Sequence, residues 1–339
     1  MDNRLVPEVY LHIEINNKNV SAYITPFLID FSYIDNDGLQ KDESDDIEIT
    51  VEDSQHFFVN NPPSRGSSLK VKFGYADQIR SAGVFFIDSF EYSSSRNGDI
   101  FKIKALAKDV KASYRTIKTT AFENTSIKRI AEKIAKDNGY QLNFAGEDIS
   151  FTRITQQEKR DLQFLFELCN KYGYICKVAD KKLIIRSLDE RLSSNTIYTL
   201  TREHVIDFSF EVSSLYEGNV EVVYLDPDKK DTTQSKEKTK VKASGDTKKV
   251  NTRVENKTQA EKIAKAQKTL NEMKEVKARL TCVGIPSLYA GGNVEVKGFG
   301  TFDRIYYIAR AEHRISRSGY ITELELLKNP SDAKEKKKK

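Results

Sequence analysis

Four histidines, His12, His56, His204 and His313, are the first residues to test for metal or acid–base chemistry. They lie far apart, with neither a His-Glu-x-x-His helix motif nor the close His/Cys spacing of a structural zinc site. His12 and His313 both fall in strand-like runs. The acidic run KDESDD, residues 41–46, has carboxylates enough to attract a cation but not the spaced Asp and Gly of a calcium loop, and reads as a solvated hairpin loop. The most glycine-rich stretch, GIPSLYAGGNVEVKGFG at 284–300, fails as a phosphate loop. Its glycines run into an alternating strand rather than a helix, so a tight turn at Gly291-Gly292 feeding a sheet edge is expected. No Gly-x-Ser-x-Gly elbow presents a serine. Cys169, Cys176 and Cys282 form no Cys-x-x-Cys pair and read as reduced, buried thiols. These residues define no catalytic set, metal site or cofactor site.

The elements that carry these residues belong to a chain of 339 residues, length enough for two or three domains. Charged residues make up 31% and no apolar run is long enough to span a bilayer, so no membrane insertion is expected. The start, MDNRLVPEVYLHIEI, lacks the pattern of a secretory signal, which leads to an expectation of cytoplasmic synthesis and retention. A net charge of +5 is concentrated in KKDTTQSKEKTKVKASGDTKK and the closing KEKKKK, segments that read as solvated loop and tail rather than a nucleic-acid groove.

Residues 1–115 read as β. VYLHIEIN, FLIDFSYID, DIEITVED, SLKVKFGYA, GVFFIDSFEYS and DIFKIKALA are separated by turn signals at Asn16-Asn17, Asp37-Gly38 and Asn97-Gly98. Residues 116–192 read as a small α/β domain. A helix capped by Thr125 or Ser126 and stopped by Gly139 carries Ile127, Ile130, Ala131 and Ile134, a second covers about 158–172, and YICKVADKKLIIRSL follows as a strand. Residues 193–328 return to β with TIYTLT, VIDFSFEVSS and NVEVVYLD. They are interrupted by a lysine-rich loop at 226–257, expected to be mobile, and by a helix at 258–277 with Ala260, Ile263, Ala264, Leu270 and Met273 on one face. A disordered basic tail is expected over 329–339.

The strongest signal is a repeat. Aligning Gly98 with Gly319, an offset of 221 residues, matches Phe85, Phe86 and Ile87 to Tyr306, Tyr307 and Ile308 without a gap. It also matches Glu91 to Glu312, Arg96 to Arg317, Ile100 to Ile321 and Leu106 to Leu327. IDFSY at Ile29 matches IDFSF at Ile206 at an offset of 177. Both copies keep an order of IDFS strand, IEITV or VEV strand, KVKFG or EVKGFG strand, then hairpin. Two copies far apart imply duplication of a whole β domain. Three such chains around an axis would present six similar domains.

The string from AEKIAKAQ to ITELEL resembles the end of phage late control D proteins, through its Gly-x-Pro, AGGNV turn, GFG.FD..YYI and H.IS.SGY.T.LEL. NTSIKRIAEKIAKDNGY, DLQFLFELCNKYGY and DESDDIEITVED resemble the same family. Its signature falls here on Gly284, Pro286, Gly291, Gly292, Gly298, Gly300, Tyr306, His313 and Gly319, as structural positions rather than a chemical site. The resemblance implies an α+β, mainly β fold, with two tail-tube-like β-barrel domains and a small α/β domain between them. It further implies a homotrimeric baseplate hub of a contractile tail or phage-tail-like particle, assembled in the host cytoplasm. Its partners would be the tail tube protein, a trimeric spike, other baseplate proteins and the tape measure protein. Related VgrG spikes of type VI secretion continue into a β-helix where this sequence ends at KEKKKK, so a separate spike protein is expected. A cell-wall-degrading enzyme, with acidic residues Glu123, Glu132, Glu147, Asp148 and Glu158 in the α/β domain, and a nucleic-acid-binding barrel stand as alternatives.

Overall fold

A computed structural model describes residues 8–39, 44–96, 98–107, 116–213, 219–226, 231–238, 247–251 and 254–332. The first region contributes β1 (Val9–Ile15), β2 (Lys18–Asn19), β3 (Leu28–Asn36), β4 (Asp46–Glu52), β5 (Ser68–Tyr75), β6 (Gln78–Ser95) and β7 (Gly98–Leu106). Two single-turn helices, α1 (Ser21–Ile24) and α2 (Phe57–Asn60), lie between them. The middle region holds β8 (Lys118–Ser126), α3 (Ile127–Asn138), β9 (Gln141–Ala145), β10 (Ser150–Lys159), α4 (Asp161–Lys171), β11 (Tyr174–Ala179), β12 (Lys182–Ser187) and α5 (Leu188–Leu192). The last region holds β13 (Thr196–Leu200), β14 (Val205–Val212), β15 (Asn219–Asp226), β16 (Asp231–Lys238), β17 (Thr247–Asn251) and α6 (Lys257–Lys274). It closes with β18 (Val276–Val283), β19 (Asn293–Val296), β20 (Arg304–Ser316) and β21 (Gly319–Lys328). The protein is mostly β, with large antiparallel sheets.

Local sequence explains the turns and caps. Asn16 and Asn17 take φ of 49° and 61°, the left-handed pair that asparagine tolerates in a tight hairpin. Ser126 Oγ accepts from Arg129 N at 3.3 Å and starts α3, which buries Ile127, Ile130, Ala131 and Ile134. Among the described residues the first strands follow the expected alternation. In β4, Ile47, Ile49 and Val51 point into a core shared with Phe31, Phe73, Phe85 and Phe101.

Among the described residues thirteen strands form one sheet, along the path β14-β18-β21-β20-β3-β4-β7-β6-β5-β1-β2 with β19 pairing both β20 and β13, and the others form three smaller sheets, β10-β8, β11-β12-β9 and β16-β15-β17. The repeat is visible in its register. In the first hairpin Ser95 pairs with Gly98 and a bulge falls at Asp88; in the second Ser316 pairs with Gly319 and a bulge falls at Ala309, 221 positions on. Gly98 and Gly319 hold φ of 114° and 119° at the two tips, where a side chain would be strained. A bulge fixes local twist, so the two hairpins share a bend as well as a sequence.

The hairpins differ in what lies beside them. β20 pairs with β19 through Arg304–Tyr307 and with β3 through Arg310–Ser316. β6 pairs with β5 through Gln78–Phe86, but from Ser89 onward no strand other than β7 pairs with it among the described residues. β14, counterpart of β3 by the IDFS match, pairs only with β18 among the described residues. The first core therefore takes in Ile315 and Tyr320 from the second hairpin, while the second core, around Leu280, Val294, Tyr306 and Leu324, leaves Phe208 and Val212 of β14 exposed.

Several expectations are corrected. The lysine-rich segment 226–257, expected as a mobile loop, contains β16 and β17, paired antiparallel and parallel to β15; backbone hydrogen bonds make this sheet from segments poor in apolar residues. Residues 227–230, 239–246 and 252–253 lie outside the described residues. The counterpart of IEITV is consequently β18, VKARLTCV, and not the VEV of β15. The helix expected at 258–277 spans Lys257–Lys274, and its Ala260, Ile263 and Ala264 pack into the middle region's core with Leu165 and Ile134, not into the second β core. Its small residues allow close approach: a Cβ on Gly173 would lie 3.0 Å from Ala266 Cβ. The helix expected at 158–172 spans Asp161–Lys171, preceded by β10, which pairs with β8. YICKVADKKLIIRSL is two strands turned at Asp180-Lys181, both at positive φ. Asn329, expected to open a disordered tail, is instead buried and donates to Leu192 O at 2.8 Å; residues 333–339 lie outside the described residues.

Candidate functional site: a buried ionic junction

Three stretches distant in sequence meet at Asp35, near the end of β3. Lys177 arrives from β11 and places Nζ 2.7 Å from Asp35 Oδ1, 2.7 Å from Asn36 O and 3.0 Å from Asp45 Oδ2. Arg80 arrives from β6, with Nη2 2.7 Å from Asp35 Oδ2 and its guanidinium 5.3 Å over the Tyr33 ring. The segment before β19 closes the third side: Ala290 N donates to Asp35 Oδ2 at 3.2 Å, and Pro286 O and Leu288 O accept from Arg80 Nη1. His313 of β20 lies beneath, wholly buried, with Nε2 2.9 Å from Leu288 O and Nδ1 2.7 Å from the Tyr320 hydroxyl.

The charges balance inside a low-dielectric setting. Burial alone would push Asp35 up, but Lys177 and Arg80 outweigh it and hold the carboxyl below its ordinary range. Burial disfavours the charged Lys177 too, and the two carboxylates facing it more than compensate, raising its pKa. Asp45 is pushed up to about 6 by burial, partly offset by Lys177, and burial lifts Asp37 to about 7. Burial and the neighbouring Arg80 depress His313 to about 3, so the ring is neutral at ordinary pH. Arg80 and Lys177 side chains are each only 18% exposed. A proton donor or cation so enclosed acts on the protein's own segments, and the arrangement clamps the first β region to the middle and last regions.

Backbone proximity reinforces the clamp. A Cβ on Gly38 would lie 2.3 Å from Cys176 O, and one on Gly284 would lie 2.2 Å from Tyr320 Cδ1. Only glycine allows these approaches without movement.

Of the nine signature residues, Gly284, Pro286 and His313 converge on the junction. Gly291 and Gly292 form the adjoining turn, exchanging hydrogen bonds with Ile308 at 2.8 and 2.9 Å. That turn feeds β19, which lies between β13 and β20 rather than at an edge as expected. Gly298, Gly300 and Tyr306 lie apart from the junction, where Tyr306 donates to Phe302 O at 3.0 Å beside Phe210, and Gly319 is at the hairpin tip. Asp35, Arg80 and Lys177 were missed by sequence reasoning. Asp45, assigned there to a solvated acidic loop, is instead buried against Lys177, because an ion pair compensates its desolvation; residues 41–43 lie outside the described residues. In the middle region Glu123, Glu132, Glu147, Asp148 and Glu158 are all exposed. Glu147 pairs with Lys262, and Asp148 accepts from Lys128 N at 3.0 Å.

The fold is that of phage tail proteins. The tail protein from Neisseria meningitidis MC58 superposes with a TM-score of 0.72 at 15% identity, covering 96% of this chain and 99% of that one. The 43 kDa tail protein of prophage MuSo2 from Shewanella oneidensis gives 0.71 at 15% identity, covering 95% and 99%. The c3393 protein of E. coli, a type VI secretion component, gives 0.56 at 12% identity over 94% and 76%. The family model described as the Alg8 N-terminal domain matches residues 42–317, and the chain belongs to that family. None of the curated proteins matches the chain.

Proposed function

We propose that this protein is a structural hub of a contractile phage tail or phage-tail-like particle, of the late control D type, assembled in the host cytoplasm. Three chains form a pseudo-sixfold ring, one face binding the hexameric tail tube and the other a separate trimeric spike, with other baseplate proteins and the tape measure protein nearby. In this reading 1–115 and 193–328 are tube-like barrel domains flanking 116–192, and α6 belongs with the middle domain. The observation that carries it is the repeated hairpin, with its bulge and tip at matching positions, in a chain with the tail-protein fold. The role is mechanical, without bond making or breaking, and the buried junction holds the two repeats at a fixed relation.

Light scattering after size exclusion, over a range of concentrations, tests the reading, with negative-stain images of the largest species. A trimer with a central channel and six-lobed outline is expected. A monomer at every concentration, alone and with tube and spike proteins, would overturn it.

A further inference from the structure

We infer that the hub closes by strand pairing between copies, β6 of one chain against β14 of the next, in the register that β20 and β3 already use within a chain. The pairing rests on the ring reading above, but its register comes from the repeat.

Within one chain β20 and β3 pair antiparallel, with Ala311 opposite Asp35, His313 opposite Tyr33 and Ile315 opposite Phe31. Subtracting 221 from the β20 numbers and adding 177 to the β3 numbers carries this ladder onto its counterparts. Phe90 then faces Val212, Tyr92 faces Phe210 and Ser94 faces Phe208. Both segments lack a second strand partner among the described residues, as do β2 and β13 in the same sheet.

Side-chain chemistry agrees with that register. Phe90, Tyr92 and Val212 are 42%, 37% and 63% exposed, large apolar groups on strand edges that invite pairing. All three lie on the core-facing side: Phe90 stacks on buried Phe101 with centroids 5.6 Å apart, and Phe210, between Phe208 and Val212 on that face, stacks on Phe302 at 4.5 Å. A slip of one residue would turn Phe90 toward Glu211, so a strand of period two specifies this alignment. On the outer face Glu91 meets Glu211, each flanked within its own sheet by a lysine, Lys102 and Lys277, so positive and negative charges surround the contact. Ser93 meets Ser209. The tip of the first hairpin would thus complete the second core of a neighbour, as Ile315 and Tyr320 of the second hairpin complete the first core in the same chain.

The test is a cysteine pair, Ser93→Cys with Ser209→Cys, oxidised with glutathione disulfide and read on denaturing gels. Paired residues in an antiparallel ladder stand about 5 Å apart, within disulfide reach, whereas Ser89→Cys with Ser209→Cys would be separated by roughly 13 Å. The first pair is expected to give a covalent three-chain species as the major product and the second only background, since the three native thiols are buried. A second variant, Val212→Asp, alters a side chain exposed in the single chain. It should raise the concentration for half-assembly at least tenfold while leaving the unfolding midpoint of the dilute chain unchanged. A trimer by mass that neither cross-links through 93 and 209 nor responds to Val212→Asp would overturn the pairing and leave the ring standing. A monomer at every concentration would overturn the ring and the pairing together.

Discussion

Replacing Lys177 by methionine keeps the length of the side chain and removes its charge from the junction. The substitution strips Asp35 of one of two cations and leaves Asp45 with a single backbone donor, Asn36 N at 2.9 Å. Removing one member of a buried ion pair costs about 3 to 5 kcal/mol, because the partner remains desolvated. At about 2.1 cal/mol/K of unfolding entropy per residue, a loss of that size lowers the melting temperature of a 339-residue chain by roughly 4 to 7 °C, compared at fixed concentration because association contributes. The second half of the test adds Asp45→Asn. With both charges gone the desolvation penalty disappears, so Lys177→Met with Asp45→Asn should recover most of the loss, leaving Arg80 to serve Asp35. Differential scanning calorimetry at pH 7 reads both variants. A single variant that loses less than about 1 kcal/mol, or a double variant no better than the single, would refute the claim that Lys177 holds the regions together by charge.

Three further outcomes are expected. His313 has a folded pKa of about 3, below its unfolded value, so its contribution is complete above about pH 6.5 and is lost as pH falls through that value. Asp37 at about 7 and Asp45 at about 6 are raised, so theirs is present at low pH and lost as pH rises through those values. Urea titrations of His313→Asn should therefore show its deficit against the wild type shrinking below pH 6.5 by roughly 1 kcal/mol per pH unit; a deficit constant from pH 7 to 5 would contradict it. Gly284→Ala drives a methyl into Tyr320, whereas Gly98→Ala meets open space and carries only backbone strain of about 1 kcal/mol; thermal melts should rank the first as the more damaging. Burial pushes the Cys282 thiol up to about 12 and raises Cys169 well above its usual value, so Ellman's reagent at pH 8 should label neither until denaturant is added.

Much of the sheet was legible because its strands alternate. DIEITVE reads inward and outward as written, and the duplicated hairpin could be aligned tip to tip, Gly98 on Gly319, before any pairing was known. β16 and β17 were not legible, since Lys, Thr and Ser give no apolar period and their placement depends on the backbone of β15. The junction was hidden for a different reason. Asp35, Asp45 and Arg80 look like surface residues one at a time, and only folding brings them within 3 Å of a partner. Lys177 alone left a trace, as a single charge inside the apolar run Tyr174–Ala179, where a strand buried on both sides has little use for lysine unless it is paired. His313 was picked out as a motif position, while its role in contacting the Leu288 carbonyl and the Tyr320 hydroxyl depended on a β-hairpin and a loop meeting.

β20 belongs to both cores, gripped by β19 near its start, by β3 toward its end and by β21 along its length. Tension applied along such a strand loads the β20–β3 ladder in shear, so the bonds between Arg310 and Ser316 must yield together, whereas a free edge peels one bond at a time. Resistance to sudden force is set by the rate of that rupture rather than by equilibrium stability. The halves of the chain are therefore spliced like overlapping planks, and a load on one is carried into the other through paired backbone.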